Sequence, residues 1–161
     1  MPRQWVVNAS PLILLGKVGR SRLLCDLTDE LIIPDAVARE VGVKSDGERQ
    51  VQELLALPDV RLESAIAIPR EVEAWDLGSG ESEVISQALA TEGSRAVVDD
   101  LEARRCALAL GVEVVGTLGA VLRAKHSGLI PAARPIVARL REVGLYVSDQ
   151  LVEKALAHLN E

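Results

Sequence analysis

Short Val- and Ile-rich runs alternate with longer helical stretches along this chain. That alternation limits the folds open to it more than any other feature. Trp5–Val7, Leu31–Ile33, Val60–Leu62, Ala96–Val98 and Val112–Val115 read as strands, with a weaker sixth at Leu145–Val147. Short apolar runs of this kind suit strands buried on both faces. Helical patterning covers Pro11–Val18, Arg20–Leu27, Asp35–Val41, Gly47–Leu57, Gly80–Ala90, Leu101–Leu110, Leu118–His126, Ala132–Val143 and Asp149–Leu159. Strand–helix–strand repetition needs crossover connections, so the expected class is α/β, with a mostly parallel sheet and helices on both faces. Several helix starts carry capping residues: Ser10 before Pro11, Ser45-Asp46 and Ser148-Asp149.

A chain of 161 residues fits one domain, 1–161, with a sizeable core. That core must be aliphatic, because the chain holds two Trp, one Tyr and no Phe. Aromatic stacking on bases is therefore scarce, which argues against an OB-fold or RRM-type single-strand binder. The formal charge of -6 excludes a basic nucleic-acid coat. The charge is uneven: residues 1–100 carry -8 and residues 101–161 carry +2. Polyanion contacts are expected mainly from the C-terminal part and from metal ions. Cys25 and Cys106 lack CxxC spacing and sit in apolar helical patterns, as buried thiols of a reducing compartment do. No signal-peptide pattern opens the chain, and no apolar run reaches the roughly 20 residues that span a membrane. The cytoplasm is the expected location, with no membrane partner.

Acids gather where strands end. Asp99-Asp100 follows the Ala96–Val98 run, and Glu81 and Glu83 open the helix upstream. Side chains at strand carboxyl ends face the crevice where α/β sheets bind ligands. Carboxylates converging there repel one another unless a cation neutralises them, and all-oxygen sites suit Mg²⁺ or Mn²⁺. Simpler roles compete. One aspartate can cap the next helix, and acids at a helix start complement its dipole. Glu40 sits near a helix C-terminus, where a carboxylate opposes the dipole, which hints at a functional reason. Ser10 and Thr117 read first as N-caps, and Thr117 could also orient a water. His126 and His158 read as non-catalytic, and Gly16, Gly78, Gly80 and Gly93 as turn residues. There is no GxSxG, Walker A or GxGxxG motif. The acid order does not fit a response-regulator receiver.

Five segments together resemble PIN-like proteins, in the same order: Val6-Val-Asn-Ala-Ser-Pro-Leu-Ile13, Ile33-Pro-Asp-Ala-Val-Ala-Arg-Glu40, Gly80-Glu-Ser-Glu83, Val98-Asp-Asp-Leu-Glu-Ala-Arg104 and Gly111-Val-Glu-Val-Val-Gly-Thr-Leu-Gly119. The likeness covers nearly the whole chain and leans towards a prokaryotic subfamily related to VapC-type toxins. It implies a three-layer α/β/α fold and a divalent-metal ribonuclease using Mg²⁺ or Mn²⁺. Carried over by motif, the metal-holding positions fall on Asn8, Glu40, Glu81 or Glu83, and Asp99 or Asp100, with Glu40, Glu81 and Asp99 catalytic. Arg104 matches a subfamily arginine of unassigned role. Arg104 and Arg105 are the leading candidates for phosphate contacts, and Ser10 and Thr117 for orienting water. The likeness also implies RNA as partner, a small antitoxin protein that buries the groove, and a homodimer.

One position departs from the pattern. Where these families typically carry Asp, this chain has Asn8. An amide oxygen still coordinates a hard cation but adds no negative charge, so weaker metal binding and weak or lost turnover are expected. The alternative is a PIN fold that has lost turnover and keeps RNA or protein binding. A third reading is an interaction module whose acids bind no metal.

Overall fold

The computed structural model describes residues 2–161. Its frame is a five-stranded, all-parallel sheet of β1 (Gln4–Val7), β2 (Glu30–Pro34), β3 (Val60–Glu63), β4 (Arg95–Val97) and β5 (Glu113–Val115), in the order β3-β2-β1-β4-β5. Trp5, Val6 and Val7 explain why β1 takes the centre: all three are buried and need cover on both faces. At the edge, β3 exposes Arg61 and Leu62, as a strand with one neighbour can. Registers pair Val6 with Ile32 and Val7 with Val97. The ladders continue one residue past the strands. Asn8 N–H donates to Val97 O at 3.0 Å, and Val98 N–H donates to Val115 O at 3.0 Å. These bonds deliver Asn8 and Asp99 to the same edge of the sheet.

Ten helices complete the described residues: α1 (Ala9–Lys17), α2 (Leu23–Leu27), α3 (Asp35–Gly42), α4 (Gly47–Leu55), α5 (Arg70–Glu73), α6 (Ser79–Leu89), α7 (Leu101–Ala109), α8 (Thr117–His126), α9 (Arg134–Glu142) and α10 (Asp149–Ala157). Helices α1, α2, α8 and α9 pack as one group, and α6 packs on β1, β2 and β4 beside α7. Helix α3 touches both α1 and α6, which places its C-terminal turn over the carboxyl edge of the sheet. The core joins aliphatic side chains from every strand, with Leu12, Leu15, Leu24, Ile33, Ile85 and Leu140 fully buried. Each such side chain contributes roughly 1.5–3 kcal/mol. Trp5 is the one aromatic among the buried residues, so aliphatic packing carries the fold.

The structure departs from the sequence reading at several elements. Leu145–Val147 forms no strand. Leu145 N–H closes on Leu140 O at 2.9 Å behind α9, and Arg141 donates to Val147 O, so the segment folds back on α9 and pairs with no strand. The expected Arg20–Leu27 helix shortens to α2, because Gly19 takes φ +72° and turns the chain after α1. Helix α5 was not expected. Pro69 opens this single turn and Val72 anchors it in the core. Ser148 caps α10 as expected, accepting from Leu151 N–H at 3.1 Å. Asp46 occupies the α4 cap position at φ +60° but accepts no capping bond. No described helix is long and apolar enough to cross a membrane.

Candidate metal-binding and catalytic site

The strand order reverses direction between β1 and β4, since β1 leads outward to β2 and β3 while β4 leads to β5 on the other side. Ligands of open α/β sheets bind outside the strand carboxyl ends at such a switch point. Asn8 follows β1 there, and Asp99 follows β4.

Asn8 stands at the N-cap position of α1, with extended backbone. An Asn here normally turns its side-chain oxygen back onto an N–H of the first helical turn, worth about 1 kcal/mol. This one makes no capping bond. Its Nδ2 donates instead to Glu81 Oε1 at 3.5 Å, and its buried Oδ1 has no partner. Glu40 reaches the same place from α3. Its Oε2 and Asn8 Oδ1 lie 3.1 and 3.2 Å from the point where a Cβ on Gly80 would stand. Gly80 is therefore no turn residue. It sits in the first turn of α6, and its missing side chain is the space into which two oxygen acceptors point.

Asp99 forms the opposite wall. Its carboxylate accepts from Thr117 N–H at 2.7 Å, from the Thr117 hydroxyl at 2.6 Å and from the Ser10 hydroxyl at 3.2 Å. Hydrogen bonds of this kind fix the orientation of a carboxylate. The N-cap role expected for Ser10 and Thr117 is not what the structure shows. Asn8 and Gly116 hold those cap positions, and the two hydroxyls hold Asp99. Gly116 is a second open cradle. A Cβ there would lie 2.5 Å from Arg104 Nη1 and 3.1 Å from Asp99 Oδ1, so only glycine lets the guanidinium lie beside the acid. Arg104 also donates to Val98 O at 3.5 Å.

The other members of each acidic pair face elsewhere. Asp100 is exposed and caps α7, accepting from Ala103 N–H at 3.0 Å. Glu83 is buried and accepts from Ala36 N–H at 3.0 Å, which caps the start of α3. Arg105 pairs with Glu102 at 2.7 Å on the exposed side of α7. The structure thus brings together Asn8, Glu40 and Glu81 over Gly80, and Ser10, Asp99, Thr117 and Arg104 around Gly116. It does not bring Glu83, Asp100 or Arg105 to them. The role of Gly80, and Gly116 altogether, escaped the sequence reading, because a glycine whose value is empty space carries no signal without the side chains that fill it. His126 and His158, distant in sequence, line one cavity at the opposite end of the sheet with Arg3, Arg95 and Arg123.

The donors at the switch point are all oxygens, which fits a hard divalent cation in kind. They fall short in charge. Among the described residues no three His, Cys, Asp or Glu side chains form a ready metal cluster, and the side chain beside both Glu40 and Glu81 is the neutral Asn8.

A parallel sheet flanked by helices, with oxygen donors at its switch point, defines an α/β protein with a candidate ligand site at that edge. A family model for the PIN domain, DUF3368, matches residues 4–161, and the chain belongs to that family. PIN domains generally use divalent metals and suggest a nuclease-type fold that binds nucleic acid. No curated protein matches the chain.

Proposed function

We propose that this protein is a divalent-metal-dependent ribonuclease whose activity is weakened by Asn8. One observation carries the reading: the unpartnered, buried Asn8 Oδ1 converges with Glu40 Oε2 on the open space over Gly80, beside Glu81. Two acceptors aimed at one point repel unless something positive lies between them. Glu40, Glu81 and Asn8 would hold Mg²⁺ or Mn²⁺, with Asp99 across from them. When bound, the cation supplies an activated water and offsets charge on the leaving oxygen of a phosphodiester. The chain does the rest. Ser10 and Thr117 hold the Asp99 carboxylate in place, so it can orient the attacking water. Arg104, held beside Asp99, offers a fork of donors to a non-bridging phosphate oxygen.

Incubation of a single-stranded RNA with Mn²⁺ tests this. Wild type should cleave slowly, Asn8→Asp faster, and Asp99→Asn and Glu40→Gln by at least about a hundredfold less than wild type. Cleavage that survives both acid substitutions would place the chemistry elsewhere. The missing charge at Asn8 also supports a second reading, a binding protein of the same fold without turnover. It would bind RNA or a protein, and Asn8→Asp would leave it inert. The same resemblance to toxins suggests a small antitoxin that covers the groove and a homodimer that aligns two grooves.

A further inference from the structure

A cleft of about 730 Å³ borders the candidate site at Ser10, with α1 on one side and the α3–α4 region on the other. Ser10 belongs to both: its hydroxyl holds Asp99, and its other side lines the cleft. We propose that this cleft seats one unpaired nucleotide of an RNA strand, next to the phosphate presented at the switch point. The proposal rests on the nuclease reading for its location but not for its test.

Size and walls fit a single nucleotide. Pockets that bury small ligands run from about 300 to 1,000 Å³, and a base paired and stacked in a duplex is not free to enter one without the cost of unpairing. Ile13, Leu14 and Val41 supply apolar wall for a base. Gln50 fixes the floor. Its Nε2 donates to Leu12 O at 2.6 Å and reaches that close because Gly16 has no side chain, since a Cβ there would lie 2.8 Å from it. The amide donor is spent on α1, which leaves Oε1 as an acceptor at the cleft.

Charge picks the occupant. The protein carries -6, yet three cations and two carboxylates line this cleft. Arg49 is shared between Asp46 at 3.6 Å and Glu53 at 3.9 Å. Lys17 and Lys44 are exposed and make no ion pair among the described residues. Two free ammonium groups beside an apolar slot match the phosphates on either side of an inserted base. A strand running from Arg104 past Ser10 to the lysines would meet cations wherever it leaves the acids.

The experiment is fluorescence anisotropy of a labelled single-stranded RNA, in Ca²⁺ so that binding is read without relying on cleavage. Wild type and the double variant Lys17→Ala/Lys44→Ala are compared across rising salt. Each lost phosphate contact on a single strand lowers the slope of log affinity against log salt by about 0.7. The double variant should lose about 1.4 from that slope and bind more weakly. A hairpin duplex should compete at least about tenfold less well than the single strand. Calorimetric Mn²⁺ binding should not change in the double variant, since neither lysine belongs to the acid set. An unchanged slope, or equal competition by the duplex, overturns the proposal. So does a wild type that binds no RNA, which would leave the cleft to a protein segment. If the salt slope falls as expected but no RNA is ever cleaved, the nuclease reading fails and the nucleotide cleft stands.

Discussion

Asn8 concentrates the physical conflict of this protein into one side chain. It occupies a cap position without capping, it is buried with a free acceptor, and its amide donor faces Glu81. Converting it to Asp replaces that donor by a second carboxylate 3.5 Å from Glu81 Oε1. Repulsion of up to about 5 kcal/mol follows at an effective dielectric near 20, less where the side chains move apart. The metal-free Asn8→Asp protein should therefore melt roughly 5–10 °C below wild type. Mn²⁺ should restore the loss and bind about tenfold tighter or more, read by calorimetry. A melting temperature indifferent to Mn²⁺ would rule out a cation between these oxygens. Gly80→Ala probes the same space without altering any donor. Alanine gains up to about 1 kcal/mol of helix propensity over glycine, but its methyl would lie 3.1 Å from Glu40 Oε2 and 3.2 Å from Asn8 Oδ1. The variant should stay folded by circular dichroism and lose Mn²⁺ binding by about tenfold or more. Retained affinity would show that the cradle is not the site.

At the scale of elements, helix starts sort the paired acids. Glu81 and Glu83 are two residues apart in α6, and positions i and i+2 do not share a helix face. Only one can look toward Asn8, and it is Glu81. Glu83 is carried to the start of α3, which holds that helix, and so Glu40, at its angle to α6. Asp100 caps α7 while Asp99 precedes it, so a one-residue step separates a structural acid from a site acid. The two should respond differently to substitution. Asp100→Ala should cost about 1 kcal/mol in urea unfolding and leave Mn²⁺ affinity unchanged. Asp99→Asn should lose Mn²⁺ affinity and some stability with it, because Thr117 N–H bonds to Oδ1 and two hydroxyls to Oδ2, while an amide keeps only one acceptor oxygen. An Asp100→Ala variant that loses metal binding would reverse this assignment. Such sorting was only half legible beforehand. The pairs were visible as acids near element ends, and the cap alternative was visible for each. Which member turned inward depends on where α3 and β5 lie, and neither is near in sequence.

The whole molecule rests on an aliphatic core, and its two cysteines report on that core. Burial, then the neighbouring Asp26, pushes the Cys25 thiol up to about 11, and burial raises Cys106 as well. The folded state favours both neutral thiols. In the unfolded chain they ionise near the ordinary thiol value of about 8.5. Stability should therefore be independent of these groups at neutral pH and fall as pH rises from about 8.5 towards 11. Urea midpoints across that range should show the decline, and Cys25→Ala should flatten part of it. Identical profiles for the two proteins would mean that Cys25 does not titrate differently on unfolding.

The local alphabet of this chain already determined its class. Short β-branched runs between helical stretches leave little but a parallel α/β sheet, because backbone pairing and period-matched burial act over a few residues. It also placed acids near strand and helix ends, and its motif order matched the family that the 4–161 match bears out. The sixth strand failed because Leu145–Val147, despite its strand composition, is tied back to α9 by local bonds to Leu140 and Arg141. Tertiary structure alone decided the site. The strand order β3-β2-β1-β4-β5 sets Asn8 beside Asp99 across 91 residues of chain. Packing of α3 on α6 then turns Glu40 over Gly80. Such convergence is set by contacts between elements far apart in sequence. For that reason Gly80, which read as a turn residue, and Gly116, which carried no signal in the sequence, are the openings around which this candidate site is built.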